Sequence, residues 1–147
     1  VSFVRLHHSA FAHPVGAEDA ARAFYVGVLG LVEVPKPATM DRTRGAWFRS
    51  EPDAVGGVSG IEIHAIPDPA FAPNAESHPA ILVDDLDGLA ERLLANGIVV
   101  EPDDRFPGHR RFHAHDPFGN RLEFLEELGP GALPPETSAS TAQEAAL

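Results

Sequence analysis

Cysteine is absent from all 147 residues, which excludes disulfides, thiolate metal ligands and a thiol nucleophile together. No apolar run approaches the ~20 residues that a membrane-spanning helix requires. The N-terminal stretch also lacks the basic region, apolar segment and small-residue cleavage site of a signal peptide, so the expected compartment is the cytoplasm, without membrane contact. Basic residues are scarce. Eleven Lys and Arg against 22 Asp and Glu leave a net charge of -11, and a nucleic-acid backbone would be repelled by that balance. Small molecules and proteins remain as partners. What is present, 44% hydrophobic and 22% charged residues, suits one globular domain that buries its own core.

The chain repeats one pattern. Residues 6–12 read as a short strand ended by Pro14. Ala21, Phe24, Tyr25, Val28 and Leu29 then fall on one helical stripe, with Glu18 and Asp19 in its first turn and Gly30 as its stop. Residues 31–34, 45–49 and 60–66 are three strand candidates. From His78 the order returns: a strand over 79–83, a stripe of Leu86, Leu89, Ala90, Leu93 and Leu94 stopped by Asn96-Gly97, and strands over 98–100, 110–115 and 121–126, with Pro102 closing the first of these. The expected fold is α+β, two βαβββ modules (about 5–66 and 78–127) forming a cupped mixed sheet within a domain over residues 1–128. A proline-rich segment, 67–77, links the modules. Residues 129–147 have no core-forming face and are expected to be a flexible tail.

Alternation within the strands selects the chemistry. If Ile81 and Val83 face the second helix, then His78, Ala80 and Leu82 face the open side. The same register in the first unit turns His8, rather than His7, to that side. Glu62 and His64 alternate with Ile61 and Ile63, and Glu123 alternates with Leu122 and Phe124, so all three carry polar groups to the open face. Glu62 is the apparent counterpart of Glu123, as His8 is of His78. Imidazoles with carboxylates and no thiolate form a ligand set for Fe, Mn, Ni, Co or Zn. His113 and His115 alternate with Phe112 and Ala114 and either line the same cleft as substrate contacts or acid/base groups or are solvated strand histidines. Arg121 shares the face of Glu123, where it holds an anionic substrate or balances acidic charge. His109, Arg110 and Arg111 read as a basic patch on a solvated loop edge. The turn His115-Asp116-Pro117-Phe118-Gly119-Asn120 has the residues that reverse a chain and aims Glu123 into its strand.

The succession of His8, Phe24-Tyr25, Val28-Leu29-Gly30-Leu31, His78 ahead of Val83-Asp84-Asp85-Leu86, and Asp116-Pro117-Phe118-Gly119-Asn120-Arg121-Leu122-Glu123 resembles the vicinal oxygen chelate superfamily. Glyoxalase I, extradiol dioxygenases, fosfomycin-resistance transferases and bleomycin-resistance binding proteins belong to it. The resemblance, over residues 5–127, implies His8, His78 and Glu123 as ligands of a divalent metal. A fourth position comes from the strand on which Glu62 and His64 compete; with His64 as ligand, Glu62 and Glu123 are the carboxylates available as catalytic base. It implies a homodimer, and a metal-dependent lyase, isomerase or dioxygenase acting on a small substrate with two neighbouring oxygens. The alternative is a metal-free antibiotic-binding protein of the bleomycin-resistance type. Glyoxalase I carries a glutathione-gripping arginine four residues after its first ligand; this chain has Ala12 there, so glutathione is not an expected cosubstrate.

Overall fold

The computed structural model describes residues 1–2, 5–51 and 60–129. Its first unit runs β1 (Ser9–His13), α1 (Glu18–Arg22) continuing into a π-helical segment (Ala23–Val28), β2 (Val32–Val34), β3 (Ala46–Arg49) and β4 (Glu62–Pro67). The second runs β5 (Ala80–Leu82), α2 (Leu86–Ala95), β6 (Glu101–Pro102), β7 (His109–His115) and β8 (Arg121–Glu127). Each unit folds into its own four-stranded mixed sheet, ordered β1-β4-β3-β2 and β5-β8-β7-β6. In both, the first and last strands run parallel and the remaining pairs antiparallel. The α+β architecture of paired βαβββ modules is therefore present, with β1 and β5 left as sheet edges. Among the described residues no helix is long and apolar enough to cross a membrane. The expected tail lies, from residue 130 onward, outside the described residues.

Periodicity located the elements to within a few residues, and the departures have local causes. The first helix widens into π geometry after Arg22, with Leu29 N–H donating to Phe24 O at 2.9 Å. That wider turn buries Phe24 and Tyr25 side by side. The second strand of the second unit sits at Glu101–Pro102 rather than 98–100. It is an edge strand, where the missing N–H of Pro102 costs no ladder bond. Leu94, assigned by spacing to the apolar stripe of α2, is exposed, whereas Leu86 and Leu93 are buried.

The inner faces of the two sheets share one core. Phe11, Phe48 and Ile63 from the first unit and Ile81, Phe112, Leu122 and Phe124 from the second pack with Tyr25 and Leu93 into a single apolar cluster. Burial of this kind is the main favourable term of folding.

One polar network crosses that core. Asp116, buried in the β7–β8 turn, accepts from the Tyr25 hydroxyl (3.0 Å), the amides of Phe118 and Asn120 (2.9 Å each) and Asn120 Nδ2 (2.8 Å). Asn120 Nδ2 donates also to Ala12 O at the far side of β1 (2.9 Å), and Asn120 Oδ1 accepts from Asn74 N–H in the linker (3.1 Å). Gly119 completes the turn at φ 88°, and a Cβ there would approach Pro73 to 3.2 Å.

Burial pushes the Tyr25 phenol well above its usual range, and the neighbouring Asp116 pushes it the same way. A pKa raised by folding gives stability that is intact below the ordinary phenol value of about 10 and is lost as pH rises beyond it. Since the chain has a single tyrosine, tyrosinate absorbance is expected to appear only together with loss of helical circular dichroism. Absorbance that grows while the fold persists would contradict this. Tyr25→Phe is expected to cost roughly 2 kcal/mol in denaturant unfolding, the range for a hydrogen bond to a charged group.

Candidate metal centre

The five groups expected to converge form two clusters, because each sheet carries its own set. In the first, parallel pairing places Ala10 beside His64, and antiparallel pairing places Trp47 beside His64 and Arg49 beside Glu62. His64 is layered between two rings, with centroids 3.9 Å from both His8 and Trp47. Its Nε2 lies 2.8 Å from Glu62 Oε1, and Arg49 Nη2 donates to Glu62 Oε2 at 2.7 Å. Burial raises the Glu62 pKa, but hydrogen bonds from His64 and Arg49 outweigh it and hold the carboxyl below its usual range. Burial lowers His64. With Nε2–H turned to Glu62, its Nδ1 keeps the free lone pair.

The second cluster is tighter. His78 stands just before β5, Glu123 lies on β8, and His113 on β7 is directly opposite Glu123. His78 Nε2 is 3.0 Å from Glu123 Oε2, and His113 Nε2 is 3.8 Å from the same oxygen. Ligand atoms of His78, His113 and Glu123 lie within 4.8 Å of one another. The donor set fits a metal. His78 Nδ1 donates to the carbonyl of Glu76 at 2.7 Å, which leaves Nε2 to meet Glu123 Oε2 at 3.0 Å through a proton, and a metal ion would take that proton's place between the two. Nitrogen and carboxylate ligands about 2 Å from an ion sit at comparable mutual spacings.

Arg111 now stands for part of that positive charge, donating to Glu123 Oε1 at 2.9 Å and to Asp103 Oδ2 at 3.1 Å. Burial raises the Glu123 pKa, but hydrogen bonds from Arg111 and His78 outweigh it and keep the carboxyl ionised. Burial, then the nearby Arg121 charge, lowers His113 and favours the neutral imidazole a metal or proton requires.

Of the remaining predicted site residues, His115 and Arg121 pair across β7 and β8 on the same face as Glu123. His8 does not join the His78 cluster; among the described residues no hydrogen bond, ion pair or ring contact links the two groups. The register also revises the repeat. Ala10, two residues after His8, pairs with His64, and Ala80, two residues after His78, pairs with Glu123. His64, not Glu62, is therefore the counterpart of Glu123. Arg111, read as a loop edge, is a strand residue on the site face. Its position two residues before His113 was the available signal. Trp47 and Arg49 gave none.

The second cluster occupies one face of the second sheet. A groove among the described residues lies elsewhere, where Leu29 and Ile61 of the first unit meet Val83 and Leu89 of the second.

Comparison with known proteins gives a family match and several similar structures. The model of the Glyoxalase/Bleomycin resistance protein/Dioxygenase superfamily matches residues 5–124. The crystal structure of a glyoxalase family protein from Bacillus anthracis is 36% identical, with a TM-score of 0.76, over 86% of this chain and 98% of that one. An antibiotic-binding protein, TnmS3, from Streptomyces sp. CB03234 is 22% identical, with a TM-score of 0.59, over 86% and 99% of the two chains. A single-residue mutant of the fosfomycin resistance protein FosX from Listeria monocytogenes, in complex with Mn(II) and a dihydroxypropylphosphonic acid, is 14% identical, with a TM-score of 0.66, over 86% and 94%. No curated protein matches.

Arg111→Gln removes the guanidinium from buried Glu123. It is expected to lower the stability of the metal-free protein by roughly 3 kcal/mol, read as a fall in the denaturant midpoint. Arg105→Gln, at a largely exposed arginine, should leave the midpoint unchanged; equal midpoints for both variants would deny the pairing its role.

Proposed function

Since the chain belongs to the glyoxalase/bleomycin resistance protein/dioxygenase superfamily, we propose that it is a metal-dependent enzyme acting on a small substrate with two neighbouring oxygens. The observation that carries this reading is the convergence of His78, His113 and Glu123 ligand atoms, with His78 oriented from behind by Glu76. A divalent ion held there would act as a Lewis acid on the paired oxygens. His78 and Glu123 would hold it. His113, kept neutral, is placed to take or return a proton beside them. The reaction is an isomerisation, lyase step or dioxygenation; fold does not choose among them.

The active form in this reading is a homodimer. His8 and His64 repeat the positions of His78 and Glu123, and each pair lies along a sheet edge, β1 or β5, whose outer backbone groups have no strand beside them among the described residues. Docking β1 of one copy against β5 of the other would supply His8 and His64 as further ligands. Glu62 would then enter the shared cleft as the second carboxylate able to serve as base. It would also wall in a face that a single chain leaves open.

Elemental analysis of protein purified without chelator is expected to find about one transition metal per chain, lost in His78→Ala and Glu123→Gln. Mixing His8→Ala with Glu123→Gln subunits should restore one intact site per mixed dimer. Wild type that carries no metal yet binds a cationic glycopeptide tightly would replace this reading with the antibiotic-binding one. Metal that survives in both single variants would overturn the site.

A further inference from the structure

The open face of the second sheet holds a positive charge that the metal ligands do not use. Arg121 begins β8, two residues before Glu123 and on the same face, opposite His115. Among the described residues its guanidinium makes no hydrogen bond and no ion pair, and its Nε is buried without a partner. A buried donor with no acceptor is unfavourable, and folded proteins pair such donors. Balancing Glu123 does not account for it: that carboxylate already takes Arg111 on one oxygen and His78 on the other.

The surroundings point the same way. In a chain of net charge -11, this face gathers Arg111, Arg121, His78, His113 and His115 around Glu123. Arg111, whose Nε is also buried without a partner, gives its terminal nitrogens to Glu123 and Asp103. A cation taking its place on Glu123 would free one of them. With Arg111 balanced by Glu123 and Asp103 and His113 held neutral, Arg121 is the cation left unbalanced among the described residues of this face, and its charge draws an anion here.

We propose that Arg121 is a specificity-determining residue that binds an anionic group of the substrate, so that the chain selects small acids whose paired oxygens adjoin a carboxylate or phosphate-like oxyanion. The guanidinium fork matches both, since each presents two oxygens to two N–H donors. Placing the substrate on this face rests on the proposed metal-dependent function, but the anion contact itself needs no metal.

The test is a titration of metal-free, full-length protein with inorganic phosphate and, in parallel, with acetate, followed by calorimetry. Saturable binding of at least one anion is expected, and the tighter of the two assigns the group. Arg121→Gln should weaken that binding at least about tenfold and Arg121→Lys, which keeps the charge and loses the fork, about threefold. Metal content should stay at the wild-type level in both variants. Absence of saturable binding to either anion overturns the proposal, as does unchanged affinity in Arg121→Gln. If that variant does not fold, unchanged affinity in Arg121→Lys does so. A wild type that binds anion and lacks metal keeps this inference and removes the metal reading. Metal without anion binding does the reverse.

Discussion

A single buried carboxylate, Asp116, holds the geometry of this protein together. Its oxygens would be prohibitive to bury in an apolar core without partners, and four donors from its own turn and from Tyr25 supply them. Two of the resulting links are long-range. Tyr25 brings the first helix to the second unit, and Asn120, locked to Asp116, reaches Ala12 on β1. The turn thereby fastens the two modules to each other and sets where β8 begins. Everything on the site face of β8 inherits its position from that start.

From there the sheet does the rest. Cross-strand pairing sets His113 opposite Glu123 and His115 opposite Arg121, while parallel pairing brings the residues before β5 alongside β8. Side chains on one face of a ladder are held at fixed spacing by backbone hydrogen bonds, a rigid way to place ligands. The helices stay on the other side, so the polar face costs the core nothing. Burial tends to neutralise the carboxylates on this face, and Arg111, Arg49 and the histidines beside them win that contest. Both modules use the same device, an arginine and a histidine on one carboxylate. Their clusters differ in the residue at the repeated position, His64 in one and Glu123 in the other.

Much of this was legible in the sequence, because it depended on local rules. Two helical stripes, punctuated by Gly30 and Gly97, and strands of alternating pattern were enough for two βαβββ modules. The alternation around Glu123 and within His113-Ala114-His115 was enough to choose the site face. What escaped was set by pairing between strands. Glu62 looked like the match for Glu123 since both sit between apolar residues, yet register, which no single strand encodes, made the match His64. The convergence of His8 with His78 failed within one chain for the same reason: each sheet closes on itself. Arg111 was hidden by its neighbours His109 and Arg110, which made a strand start look like a charged loop.

A cation between His78 and Glu123 is the centre of the proposed chemistry. Anomalous diffraction from crystals soaked in Mn(II) tests it most directly. A peak about 2.0–2.3 Å from His78 Nε2 and from a Glu123 oxygen, with Arg111 withdrawn from that carboxylate, is the predicted result. Saturating Mn(II) that leaves no peak on this face, with the Arg111–Glu123 pair intact, would contradict it.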